Sequence, residues 1–223
     1  MRISHRYKFI FISKPRCAST TLRTLLDPYS DIFSDSKPPY HHHATALELK
    51  LHFDEMKWNW SDYFIFTTVR NPWEMMGSYY KFFRPDIHGI YNFEKERNGI
   101  NYQPDCSIPF SEWIRTGMTY HRIRFIDGRF ERNIWVNGFS KLTLANTIND
   151  TNGNPLVTRV FKTEELAESV IEIFRIIGIT DVPEILKINT SEPFNYRDYY
   201  SPETRKIVEE EFESDISFGH YKF

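Results

Sequence analysis

Between Lys14 and Arg23 the chain reads KPRCASTTLR, bringing together the cationic side chains Lys14, Arg16 and Arg23 and the hydroxyls of Ser19, Thr20 and Thr21. A run of this kind, leading from a strand into a helix, suits an anion. The N–H groups of a helix's first turn have no intrahelical acceptor, and the dipole adds about half a positive charge there. The three hydroxyls can donate to phosphate oxygens without blocking those N–H groups. The spacing GxxxxGK[ST] is absent, since the first glycine is Gly77, which argues against a Walker-type triphosphatase. The alternative for this segment alone, the lesser of the two, is an ordinary capped helix with surface bases.

A second constellation lies in FIFTTVRNPWEMMGSYY, Phe64 to Tyr80. Arg70 falls at the C-terminal end of an expected strand, where α/β proteins bind ligands, and Ser78 two turns into the helix that follows. The arginine fork matches a phosphate, and a serine hydroxyl can complete the cradle. Two such sites about one nucleotide apart fit a ligand phosphorylated at both ends. A lone arginine in this position is more often a salt-bridge partner; the full RNPWxxxxSxY spacing is more specific.

Two further groups could do chemistry. The triplet His41-His42-His43 offers imidazoles, which titrate near neutrality and can act as general bases, although by itself the run reads more simply as a solvated stretch or an adventitious metal site. Cys17 and Arg23 spell C-x5-R, the phosphate cradle of cysteine-dependent phosphatases, in which Cys17 would be a thiolate nucleophile.

The elements that must hold these residues follow from periodicity. Tyr7 to Ser13 and Tyr63 to Val69 are runs of aromatic and β-branched residues of strand length, and Val157 to Phe161 is a third, reached through the turn Asn152-Gly153-Asn154-Pro155. Helices are expected over Thr20 to Leu26, Thr45 to Phe53, from Asn71-Pro72 to about Phe83, and from Thr163, with Leu166, Val170, Ile171, Phe174 and Ile177 on one face and Gly178 closing it. A last helix opens at Ser201-Pro202-Glu203. Strands alternating with helices predict an α/β fold, a single domain over residues 1–223 with a central parallel sheet flanked by helices. Residues 84–108 have weak periodicity and read as an irregular excursion.

Composition narrows the options. The 223 residues, 40% hydrophobic, are enough for one sizeable core, and a net charge of −2 gives no nucleic-acid footprint. The apolar run Phe9 to Ile12 is too short for a signal peptide or a membrane span, so a cytoplasmic protein is expected. Two cysteines, Cys17 and Cys106, argue against a disulfide framework.

The loop Pro15-Arg16-Cys17-Ala18-Ser19-Thr20-Thr21 and the segment Arg70-Asn71-Pro72-Trp73 to Ser78 resemble the 5′-phosphosulfate and 3′-phosphate motifs of sulfotransferases that use 3′-phosphoadenosine-5′-phosphosulfate (PAPS), particularly the carbohydrate branch. His42-His43-Ala44-Thr45-Ala46-Leu47-Glu48-Leu49 is similar to the HHTTAxEL segment of that branch, and Asp215 to Tyr221 (DISFGHY) to its closing D-x-x-x-FGY. Asn189, Ser191 and Tyr199 to Glu203 also fit its C-terminal third. The family usually has lysine where Arg16 stands and glycine where Ser19 stands.

The resemblance implies a P-loop-like sulfotransferase fold and transfer of a sulfuryl group to an acceptor hydroxyl, most naturally on a saccharide. Within it, Arg16 with Lys14 stabilises charge on the leaving phosphate, and Cys17, Ala18, Ser19, Thr20 and Thr21 complete the donor loop. Arg70 and Ser78 take the 3′-phosphate, and Trp73, beside that motif, either stacks on adenine or packs its own helix. His43 is the base, with His42 in reserve, and the scheme needs no metal. The alternatives are the Cys17 phosphatase and a non-catalytic protein that binds adenosine 3′,5′-bisphosphate or a glycan. Neither a membrane span nor a nucleic-acid partner is expected.

Overall fold

The computed structural model describes residues 1–35, 38–82, 109–116, 118–119, 124–126, 129–131, 136–137, 139–185 and 195–223. The expected excursion, Cys106, Asn189 and Ser191 lie outside them.

All three expected strands form and are neighbours. β1 (Arg2–Ser4), β2 (Phe9–Ile12), β3 (Ile32–Phe33), β4 (Phe64–Val69) and, later in the chain, β9 (Arg159–Lys162) make one sheet in the order β3-β1-β2-β4-β9. β2 pairs parallel with β4, and β4 parallel with β9. The central strands are parallel as expected, and the edge adds strands the sequence reading did not identify: β1 runs antiparallel to both β2 and β3. Neither short edge strand stands out by length or composition, and each is specified by its neighbour rather than by its own pattern. Two separate two-stranded pieces pair β5 (Met118–Thr119) with β8 (Val136–Asn137), and β6 (Arg124–Ile126) with β7 (Arg129–Glu131). The described chain is thus α/β, with a mostly parallel central sheet.

Both faces of the sheet are covered, which is why β2 reads as a continuous apolar run instead of an alternating one. Phe9 and Phe11 point to one side, onto Leu22, Leu25 and Leu26 of helix α1 (Ser19–Leu26) and onto Val170, Ile173 and Phe174. Ile10 and Ile12 point to the other, among Ala46, Leu49 and Phe53 of α2 (Ala46–Glu55). Thr45 caps α2 in a reciprocal box with Glu48. α3 (Pro72–Phe82) follows β4, with the Asn71 carboxamide accepting from Trp73 N and Glu74 N as its cap. The strand register aligns Ile12 with Thr67 and Val69 with Lys162. The segments after β2, β4 and β9 therefore leave one edge of the sheet together.

Helix α4 (Phe110–Thr116) and α5 (Leu144–Ile148) precede β9, and α6 (Leu166–Ile176) follows it. A 3-10 turn, Thr163–Glu165, stands where Thr163 was expected to cap α6 directly. On α6 the buried residues are Ser169, Val170, Ile173 and Phe174, and Ile171 is exposed. That corrects the expected apolar face by one position, because the sheet covers an arc narrower than the apolar spread of the helix. Gly178 does close α6, at a φ of +79° with its N–H on Arg175 O. The C-terminal helices are α7 (Pro202–Glu211), capped by Ser201, and α8 (Glu213–Gly219). Gly219 has no room for a side chain: an added Cβ would sit 2.1 Å from the Tyr221 ring. Among the described residues, no helix is long and apolar enough to cross a membrane.

Candidate functional site

The loop after β2 rises between two buried anchors. The Ser19 hydroxyl donates to Lys14 O, and the Thr68 hydroxyl of β4 donates to Cys17 O, which arches residues 15–18 over the sheet edge. Arg16 and Ala18 both take positive φ, +58° and +54°, whereas Cys17 between them does not. Alternating backbone hand in successive residues turns their N–H groups to the same side, the geometry of an anion-binding nest. Neither residue is glycine, so each holds a left-handed conformation at a cost of about 1–3 kcal/mol. Ala18 is also the N-cap of α1 and offers no side-chain acceptor to its first turn, and no acidic residue lies in that turn. Ser13, which leads into the loop, has a buried Oγ with no hydrogen-bond partner among the described residues.

The second segment meets this loop directly. Arg16 donates from Nε and Nη2 to Ser78 Oγ, at 3.2 and 2.9 Å, so the loop arginine and the helix serine are already joined. Arg70 at the end of β4 donates from Nη1 to Arg16 O at 3.3 Å and from Nη2 to Glu74 Oε1 at 2.7 Å. Glu74 and Ser78, four positions apart, lie along one side of α3, and Arg70, just before the helix, reaches back to the first of them. Glu74 was not picked out in the sequence, although its spacing from Arg70 is that of a helical ion pair. The loop, Arg70 and Ser78 are thereby gathered at one place, with two arginines against one carboxylate.

Lys14, expected beside the anion, is corrected by its burial. Its side chain is fully inaccessible, with Nζ 2.8 Å from Oδ1 of Asp215, a carboxylate equally buried. Nζ also lies 3.2 Å from Met75 Sδ and 3.9 Å from Cys17 Sγ. Burial alone would lower the ammonium's pKa, but the Cys17 sulfur and the Asp215 carboxylate outweigh it and hold it raised. Lys14 is a charge beneath the loop and does not face a ligand. Burial likewise pushes the Cys17 thiol up, against the pull of Lys14. A phosphatase nucleophile needs the opposite shift and an accessible sulfur, and Cys17 has neither. Arg23 does not turn into a cradle around Cys17: it donates to Ser19 O, the Thr20 hydroxyl and His42.

Trp73 is also corrected. Its ring is 2% exposed, packed with Met76, Tyr80 and Val208, and its Nε1–H donates to Arg205 O. It is a core residue and not an open face for a base. Thr21, at 6% exposure, is buried with Leu22, and Thr20 is the more accessible of the two.

The histidine triplet separates into three environments. His41 lies beside the Glu48 carboxylate. Burial raises Glu48, but bonds from His41 and Thr45 hold it below the usual carboxylate value. His42 Nδ1 faces the guanidinium of Arg23 and the hydroxyl of Ser34. Arginine only donates, so that nitrogen is an acceptor and the neutral ring carries its proton on Nε2. His43 Nδ1 lies 2.7 Å from Ser13 O. A carbonyl only accepts, so Nδ1 carries the proton and Nε2 the lone pair. The adjacent rings are therefore opposite tautomers, and the protonated Nδ1 of His43 anchors its ring to the residue that starts the loop, leaving Nε2 as the basic nitrogen.

The C-terminal segment joins the site from behind. Asp215 Oδ2 accepts from Leu144 N and Ser214 Oγ while Oδ1 pairs with Lys14. Glu164, after β9, accepts from Asn71 N at 2.8 Å and from the Tyr221 hydroxyl at 3.0 Å. Burial and Glu164 push that hydroxyl well up, so it remains a donor. Lys162, at the end of β9, lies over the Tyr221 ring. Glu164 carried no sequence signal; its partners come from other parts of the chain. Comparison of the chain with protein-family models, with curated proteins and with solved structures finds no match.

Proposed function

We propose that this chain is a sulfotransferase that carries the sulfuryl group of PAPS to an acceptor hydroxyl, with saccharides as the acceptor class. The observation that carries the reading is the convergence of Arg16, Ser78 and Arg70 on an uncapped helix start whose preceding loop has the backbone alternation of an anion nest. The orphaned Ser13 hydroxyl beside it also fits a polar ligand.

In this reading the N–H groups of the loop and of the first turn of α1 hold the 5′-phosphosulfate, and Arg70 holds the 3′-phosphate beside Ser78, whose buried hydroxyl orients Arg16. Arg16, able to reach both, lies against the bridging oxygen. His43 Nε2 takes the acceptor's proton as the acceptor oxygen bonds to sulfur and the bond from sulfur to the bridging oxygen breaks. The electron pair leaves on the 5′-phosphate of adenosine 3′,5′-bisphosphate, where Arg16 stabilises it. The tautomers favour His43 over His42, because the lone pair of His42 is directed at Arg23.

The test is transfer of labelled sulfate from PAPS to a panel of glycans, lipids and phenols. Transfer to a glycan, lost in His43→Ala, is the expected result. Binding of adenosine 3′,5′-bisphosphate without any transfer would leave a non-catalytic binder, and no binding of either nucleotide would end the reading.

A further inference from the structure

Lys14 and Asp215 form a charged pair sealed at 0% exposure on both sides, yet no part of the transfer chemistry uses it. The Lys14 ammonium is a meeting point of four segments. It touches Cys17 in the loop and Met75 on α3, lies 6.0 Å from the Phe212 ring at the end of α7, and pairs with Asp215 on α8. Met75 sits one helical turn before Ser78, so whatever fixes Lys14 against Met75 also fixes how far Ser78 stands from Arg16. The carboxylate is itself held: Asp215 Oδ2 takes Leu144 N at 2.6 Å. The residues that follow α8 are tied to the second motif, where Asn71 donates from Nδ2 to Lys222 O and from its backbone to Glu164, the partner of Tyr221.

We infer that Lys14 and Asp215 are positioning residues, by which the C-terminal helix sets the separation between the loop and α3 and hence the preference for a ligand phosphorylated at both ends. The inference rests on the donor assignment proposed above. A pair that served folding alone would need only to be stable, and a well-packed neutral replacement would then leave ligand discrimination untouched.

The experiment compares adenosine 3′,5′-bisphosphate with adenosine 5′-monophosphate by calorimetry, in the wild type and in the double variant Lys14→Met with Asp215→Asn. The double variant removes both charges together and keeps an acceptor for Leu144 N. Expected is 5′-monophosphate affinity within about twofold of wild type and a bisphosphate preference reduced by about tenfold. Loss of folded protein would lower both affinities in proportion and leave the ratio alone. Should the double variant not fold, Asp215→Glu keeps both charges and lengthens one arm, and the same fall in the ratio is expected. A wild-type ratio in a folded variant overturns the inference. A wild-type protein that does not prefer the bisphosphate overturns the donor assignment, and the inference with it.

Discussion

The guanidinium of Arg16, in the loop after β2, donates twice to the hydroxyl of Ser78 on α3, at 3.2 and 2.9 Å. Both residues come from segments that leave the same edge of the sheet, and the contact joins the two candidate segments. Ser78 is 1% exposed, as buried as Trp73, and its hydroxyl is turned to the Arg16 guanidinium, so it acts on a ligand by orienting Arg16. Ser78→Ala should weaken adenosine 3′,5′-bisphosphate binding roughly tenfold, the worth of a hydrogen bond to a charged group. Arg70→Ala should weaken it more. Arg16→Ala should instead lower the turnover number by about a hundredfold or more, as removal of a transition-state donor does. Unchanged turnover in Arg16→Ala would take the leaving-group role away from it.

His43→Ala should retain nucleotide affinity and lose about two to four orders of magnitude in turnover. His42→Ala should affect turnover little, because its Nδ1 accepts from Arg23 and Ser34. Parallel measurement of kcat and of bisphosphate Kd for the two variants decides between them; equal turnover losses would remove the distinction drawn from the tautomers.

Ala18 stands at a φ of +54° as the cap of α1. Glycine adopts that conformation without strain, so Ala18→Gly should stabilise the protein by about 0.5–1 kcal/mol despite the extra freedom of the unfolded chain. Urea denaturation monitored by circular dichroism measures it. A lower midpoint at unchanged slope would show that the loop holds no strain at this residue.

Cys17→Ser separates transfer from thiol chemistry. The sulfur is buried against Met75 and Lys14 with its pKa pushed up. A serine hydroxyl there should cost about 1–3 kcal/mol of stability and leave most of the sulfate transfer intact. Activity abolished in folded protein, together with phosphatase turnover in the wild type, would restore the cysteine-dependent alternative.

Much of the local architecture was legible in the chain. The three parallel strands, the Asn71-Pro72 start of α3, the Thr45 and Ser201 caps and the Gly178 stop are specified by residues within a turn or two of one another. The residues at the site were legible for the same reason: a loop of cations and hydroxyls before one helix, and an arginine one strand away. Even so, the missing loop glycine suggested nothing of the positive φ that Arg16 and Ala18 adopt, since local sequence does not reveal strain that the rest of the fold imposes.

What the chain alone left open were matters of which side faces what. Lys14 reads as one more cation in a basic loop until α8 brings Asp215 beneath it, and Trp73 reads as an adenine platform until α7 covers it. Burial and charge pairing depend on segments far apart in the chain, so no neighbouring residue announces them. The same holds for His42 and His43, identical in type and adjacent in position. One carbonyl, Ser13 O, and one guanidinium, Arg23, give them opposite protons, because a fixed acceptor and a fixed donor each permit a single tautomer.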